Sequence, residues 1–234
     1  MIKMIFQSMP KKITKSSLLV AVYMVTIFLG LGLFLPAGTF LWLEAWIYLI
    51  IFAIFFTIVV LYFSKHDPEM LQQRARPKFK KKWDKIVMIL MGFGFFPTFI
   101  IPGFERNYGW SSIPFWVEII GFIVLTLGLI VIFLVMKENT FLSKAVEIQE
   151  DRGHKVITTG PYRIVRHPMY LGFMLFIVFY CLALGSLYSL IPTALGVTGL
   201  VIRTVLEDKM LHKELGGYSE YAQKTKKKLI PLIW

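Results

Sequence analysis

The chain has one cysteine, four histidines and 14 acidic side chains against 26 basic ones in 234 residues. Cys181 alone can close no disulfide within the chain and has no metal-binding companion nearby. It stands in the middle of a long apolar run, where packing is its expected role. No His/Cys cluster has ligand spacing, so nothing in the pattern calls for a metal. No internal repeat is visible. Charge is missing altogether from 17–36, 45–63, 86–104, 119–136 and 168–202.

What remains is strongly apolar: 56% of residues are hydrophobic and the mean hydropathy is +0.66. A soluble domain is not built this way, and the composition points to a membrane protein. The first four uncharged runs reach the ~18-residue threshold for a spanning helix. The run 168–202 is too long for one crossing. As a single helix at ~1.5 Å per residue it would extend roughly 52 Å, against a hydrocarbon core of ~30 Å. A fold at Gly185-Ser186 turns it into a hairpin whose halves carry Gly185, Pro192 and Gly196. The expected fold is therefore all-α and multi-pass, with five or six transmembrane helices including the C-terminal hairpin. Basic residues precede the first run, as in a signal peptide. The run is long, however, and Leu35-Pro36-Ala37-Gly38 is a poor cleavage site, so an uncleaved first span is expected.

The formal net charge of +12 invites a nucleic-acid reading, but its distribution argues against one. With alternating spans, every Lys and Arg except Arg106 falls on one face, a strong positive-inside pattern. The N-terminus, 65–85, 137–168 and the C-terminus are then cytoplasmic, and the excess charge faces anionic head groups of the cell membrane. No nucleic-acid reading module is present.

Residues 1–136 read as a transmembrane scaffold and 137–234 as a functional core. Within the scaffold, Asp67-Pro68-Glu69 has the pattern of an N-cap, a proline at the first helical position and an acidic first turn. It predicts a short interfacial helix over 67–75, with a solvated basic loop as the alternative. Residues 105–112 are expected to form the opposite loop, where Tyr108 and Trp110 suit an aromatic belt. In the core, 137–167 is a long connection with little periodicity, and such connections tend to carry function. A helix then continues beyond the hairpin and ends at Gly216-Gly217. Tyr218, Tyr221 and the closing Leu-Ile-Pro-Leu-Ile-Trp234 return toward the membrane surface.

The hairpin brings Arg166 and His167 near Arg203, Glu207 and Asp208. Ionisable groups gathered at a membrane surface mark a candidate site for a charged ligand. Singly, each has a plainer role. Arg166 and Arg203 can anchor to phosphate, His167 can cap a span, Glu207 can pair with a cation, and Tyr162 and Tyr170 can serve as belt aromatics. Together they say more.

Gln149, Gly153-His154-Lys-Val-Ile-Thr-Thr-Gly160-Pro-Tyr162 and Val165-Arg-His-Pro-Met-Tyr170-Leu-Gly172 stand in a fixed order. Arg203, Glu207-Asp208, Tyr218, Tyr221 and Leu229-Ile-Pro231 follow. This order resembles the isoprenylcysteine carboxyl methyltransferase family and its prokaryotic relatives, grouped with phospholipid methyltransferases. The resemblance covers the last ~90 residues, with weaker likeness at 67–84 and 103–111. It implies S-adenosyl-L-methionine as cofactor and a lipophilic methyl acceptor. It also implies cofactor contacts at Gln149, His154, Lys155, Val156, Ile157, Tyr162, His167, Pro168, Met169, Tyr170 and Glu207, with Arg203 facing the acceptor. Glu207-Asp208 departs from the Glu-Glu common in the family, so Glu207 alone carries over. Gln149 is closer to His154 than in eukaryotic members.

The chemistry of these residues suits such a reaction. Arg166 and His167 can donate to a cofactor carboxylate. Glu207 can balance its ammonium or ribose hydroxyls. Tyr162 and Tyr170 can stack on adenine or face the sulfonium. Methyl transfer is an in-line displacement governed by positioning and exclusion of water. A carboxylate acceptor needs a cation rather than a base, and Arg203 suits it through its bidentate fork. A phospholipid amine would need Glu207 or His167 to take its proton. Two other readings stay open. Membrane sterol reductases share a C-terminal Arg-His…Tyr-Gly pattern but use NADPH; Gly-Pro-Tyr before Val-Arg-His-Pro favours the methyltransferase. A non-catalytic membrane protein on this fold could have lost Arg203 or Glu207, yet both are present.

Overall fold

Backbone N–H and C=O groups in hydrocarbon must be satisfied within the chain, so every uncharged run is expected to coil into a helix. The computed structural model describes residues 13–77 and 79–234 and has that form. Among the described residues there are nine α-helices and no strand. Lys3, Lys11, Lys12 and Lys78, which contribute to the basic face, lie outside the described residues.

Helices α1 (Lys15–Ala37) and α2 (Leu43–His66) form an antiparallel pair. Helix α3 (Pro68–Ala75) follows at once. It starts as predicted: Pro68 stands in its first turn and the Asp67 carboxylate accepts the Met70 N–H at 3.0 Å. The third apolar run divides into α4 (Lys82–Thr98) and α5 (Ile101–Tyr108), broken next to Pro97. Helix α6 (Phe115–Glu138) leads to the irregular connection, which holds only two 3₁₀ turns, at Glu150–Arg152 and Gly160–Arg163. The hairpin is α7 (Pro168–Ala183) and α8 (Leu190–Glu214), and α9 (Tyr218–Lys224) closes the helical part. Five segments are long and apolar enough to cross a membrane: α1, α2, α4 with α5, α6 and α8; α7 is a shorter apolar helix. The chain is a multi-pass membrane protein.

Two expectations about element limits are corrected. Glu105–Tyr108 is not loop but the last turns of α5, which ends at Gly109 in the left-handed region, φ 63. The reason is that Glu105 turns inward and is buried. Its Oε1 accepts the Leu187 and Tyr188 N–H groups at 3.1 Å each, and Ser111 and Ser186 add their hydroxyls. The carboxylate so fixes the turn of the hairpin, which falls at Gly185-Ser186 as expected. Helix α8 stops at Glu214, before the glycine pair, because Gly217 at φ 80 redirects the chain into α9 rather than ending the helical region.

Small residues set the helix packing, as they do where lipid removes the hydrophobic drive between helices. A Cβ on Gly128 of α6 would lie 2.7 Å from the Gly172 carbonyl oxygen and the Phe176 nitrogen of α7. A Cβ on Gly94 of α4 would lie 2.4 Å from the Gly196 nitrogen of α8. Helix backbones therefore touch in α6–α7 and α4–α8, and the two pairs meet in one core around Tyr48, Leu125, Ile177, Tyr180 and Leu200. At one end of the bundle, ion pairs link the loops: Arg152–Glu69 at 2.8 Å and Lys81–Glu214 at 2.5 Å. The candidate site lies at this end.

Candidate functional site

The proline of Arg166-His167-Pro168 opens α7, so the two residues before it are the last of the connection and face the emerging end of α8. Their backbone N–H groups donate to the Lys227 and Lys228 carbonyls, both at 2.9 Å. The tail is thereby drawn across the foot of α7. The Arg166 guanidinium grips Asp208 with two bonds, 2.8 and 3.0 Å, and donates to the Thr225 carbonyl at 3.1 Å. Tyr218 donates to the same carboxylate at 2.9 Å, and Lys228 stands 3.4 Å from it. Asp208 is thus the knot of the tail. It is saturated with donors and not free to meet a ligand. Arg166 spends its donors on the same knot.

Above this knot is a cavity. His154, Lys155, Val156, Ile157, Tyr162, Arg166, His167, Pro168, Met169, Tyr170 and Glu207 all line it. These are residues the sequence reading had assigned to a cofactor, now gathered from the connection, the start of α7 and one turn of α8. Apolar side chains of α8, Met210 and Leu211, with Leu215 just past its end, complete one wall. Phe141 also lines the cavity and stacks on the His154 ring, with centroids 4.5 Å apart and planes at 20°. Tyr170 donates to Glu207. Glu207 makes no ion pair among the described residues, leaving a carboxylate that faces the cavity with one tyrosine for company.

Two predicted residues do not line the cavity. Gln149 is buried behind it. Its amide donates to the Phe141 carbonyl at 2.7 Å, and its oxygen accepts from Arg152 at 2.5 Å, so it shapes the loop that carries Phe141. Arg203 lies one layer deeper in the bundle. Its Nε donates to Asp84 at 2.9 Å and its Nη2 to the Lys144 carbonyl at 2.6 Å. The guanidinium also stands over the Tyr170 ring, 5.5 Å from its centroid. The other oxygen of Asp84 accepts the Val146 N–H at 2.8 Å.

Asp84 and Phe141 were missed by sequence reasoning. The lone acidic residue between Lys82 and Lys85 at the head of a span was a signal for the first. Nothing local marked the second. Tyr218 and Tyr221 were noted as tail aromatics, but both line the cavity.

The titrating groups outside the spans agree with a largely desolvated site. Burial pushes the Tyr162 hydroxyl well above the ordinary tyrosine value, and it accepts from Asn139 at 2.7 Å. Burial also pushes Tyr221 up to about 12, and its hydroxyl donates to the Tyr162 carbonyl at 2.7 Å. His154 is held below the ordinary histidine value, first by burial and then by the Arg152 charge. Its Nδ1 faces the Gln149 N–H at 3.3 Å, which suits a neutral ring accepting there.

The chemistry of the lining suits S-adenosyl-L-methionine: apolar walls and rings for a base, and a carboxylate without an ion pair among the described residues for a cationic part. Among the described residues no three His, Cys, Asp or Glu side chains converge as a metal site requires. A protein-family model described as phospholipid methyltransferase matches residues 116–217. That span covers α6, the connection, the hairpin and α8, hence nearly every residue of the cavity. A search of curated proteins finds no match to the chain.

Proposed function

We propose that the protein is an S-adenosyl-L-methionine-dependent methyltransferase acting on a lipophilic acceptor at the cytoplasmic face of the cell membrane, a reading supported by the match of residues 116–217 to the phospholipid methyltransferase family model. Residues 1–136 are its scaffold and 137–234 its catalytic core. The observation that carries the reading is the single cavity shared by His154–Ile157, Tyr162, His167–Tyr170 and Glu207.

When bound, the cofactor supplies an electrophilic methyl group on a sulfonium. The chain's own residues bind and orient. The Phe141–His154 stack and the apolar wall of Met210, Leu211 and Leu215 receive the adenine. Glu207, aimed by Tyr170, receives the ammonium or the ribose hydroxyls. Arg203, fixed by Asp84 and the Lys144 carbonyl, is a positioning residue for Tyr170 and the acceptor. The favoured acceptor is a carboxylate on an isoprenoid or lipid-like chain, which reaches the site sideways from the bilayer and needs no general base.

A second reading, methylation of a phospholipid amine, is favoured by Glu207 itself: an unpaired carboxylate in a cavity suits an ammonium and could take its proton. NADPH-dependent reduction has less support, since the family match names methyl transfer.

A titration of S-adenosyl-L-methionine into detergent-purified protein, beside NADPH, tests the proposal. Saturable binding of the methyl donor alone is expected, weakened about tenfold or more in Glu207→Ala, as loss of a charged hydrogen bond implies. Binding of NADPH alone would replace this reading with the reductase. Incubation of membranes with labelled donor should put label in the lipid extract; label confined to water-soluble protein would exclude a lipid acceptor.

A further inference from the structure

Arg74 stands on α3, outside the segment matched by the family model and outside every predicted site residue. Met70 and Leu71, one turn before it, are buried in a cluster with Leu142 and Met169, two residues of the cavity wall. Side chains three and four apart share a helix face, so Arg74 projects from the face of α3 that rests on the site. Its nearest acidic neighbour on the helix, Glu69, is engaged by Arg152 at 2.8 Å. Among the described residues Arg74 makes neither an ion pair nor a side-chain hydrogen bond. It lies within Coulomb range of Tyr162, Tyr170 and Arg203, and burial depresses its proton affinity. Lys144, exposed and flanked in the chain by the cavity-lining Ser143 and Ala145, adds a second cation close enough to be repelled by Arg74.

A half-buried guanidinium without a counter-ion carries a cost that a bound anion removes. The two other guanidinium groups nearest the site are already committed: Arg166 to Asp208 and Arg203 to Asp84. We propose that Arg74, with Lys144 at the rim, forms a carboxylate-receiving site between α3 and the Tyr162–Tyr170 side of the cavity. This rests on the methyltransferase reading, which supplies two sources of that chemistry: the amino-acid carboxylate of the cofactor and the carboxylate of a lipid acceptor.

The test uses two matched pairs of probes on full-length protein in nanodiscs of neutral lipid. S-adenosylhomocysteine carries the amino-acid carboxylate and methylthioadenosine lacks it; oleate carries a carboxylate and oleyl alcohol does not. Arg74→Gln should weaken one charged probe by about tenfold or more and leave its uncharged counterpart unchanged. Lys144→Gln should do the same to a lesser degree, and Arg74→Lys should recover part of the loss. A loss confined to S-adenosylhomocysteine assigns the site to the cofactor; a loss confined to oleate assigns it to the acceptor. No loss in either pair, or equal loss of charged and uncharged probes, overturns the proposal. If the wild type binds neither adenosyl compound, the methyltransferase reading fails, and the oleate pair still judges Arg74. If it binds none of the four probes, both fail.

Discussion

Asp84 and Arg203 are 119 positions apart and meet in the bundle as a buried pair. Asp84 is fully buried and Arg203 nearly so. The pair is more useful for geometry than for net stability, since desolvation offsets most of its attraction; breaking it is another matter. Asp84→Ala should cost about 3–5 kcal/mol by leaving the guanidinium uncompensated, read as a lower unfolding midpoint in detergent. Arg203→Lys keeps the charge but cannot reach both Asp84 and the Lys144 carbonyl, because an ammonium lacks the planar fork. Methyl transfer should fall more than about tenfold with cofactor affinity retained; an equal loss of affinity would show that Arg203 supports the cofactor cavity instead. His154 sets a pH dependence. Its folded pKa is depressed by burial and by Arg152, so the folded state favours the neutral ring. The contribution is complete above the unfolded value of about 6.5 and is lost as pH falls from there through the lower folded value. Cofactor affinity and thermal stability should therefore decline on acidification below about pH 6.5, and His154→Phe, which keeps a ring to stack on Phe141, should flatten that decline.

At the scale of elements, the hairpin depends on a carboxylate from a different helix. Glu105 holds the Leu187 and Tyr188 N–H groups and two serine hydroxyls. Glu105→Ala would strand those donors at about 1–3 kcal/mol for each one left buried without a partner. Faster hydrogen exchange confined to the α7–α8 turn would report it. The hairpin itself was legible in the sequence, because an uncharged run too long for one crossing must fold back, and its glycine marks where. Helix α3 was legible from Asp67-Pro68-Glu69, whose capping chemistry is local. What stayed hidden was tertiary. Glu105 reads as a loop acid until the hairpin turn arrives beside it. Arg166 reads as a ligand donor until the tail supplies Asp208 and three carbonyls. Asp84 gives no hint of Arg203, since no local rule relates residues so far apart. The cavity residues were found through a joint motif, whereas Phe141 and Arg74 belong to no motif and show only when the loops are folded.

For the whole molecule, the asymmetry of charge makes a claim about orientation. Among the described residues, alternation of the spans would put every Lys and Arg except Arg106 on one side, the side on which the cavity opens. The opposite end carries Tyr108, Trp110 and Tyr188, stacked or edge-on to one another, as aromatic residues at a membrane interface do. If positive charge is retained on the cytoplasmic side, the cavity faces the compartment in which the methyl donor is made. The sole cysteine is buried, so Cys181→Ser gives a silent background for labelling. Thr158→Cys, exposed in the connection, and Tyr108→Cys, exposed at the far end, then report the two faces. In intact cells a membrane-impermeant maleimide should label Tyr108→Cys and spare Thr158→Cys, and both should react once the membrane is opened. The reverse pattern would turn the cavity outward, away from the donor, and the cytoplasmic methyltransferase proposal would have to be abandoned.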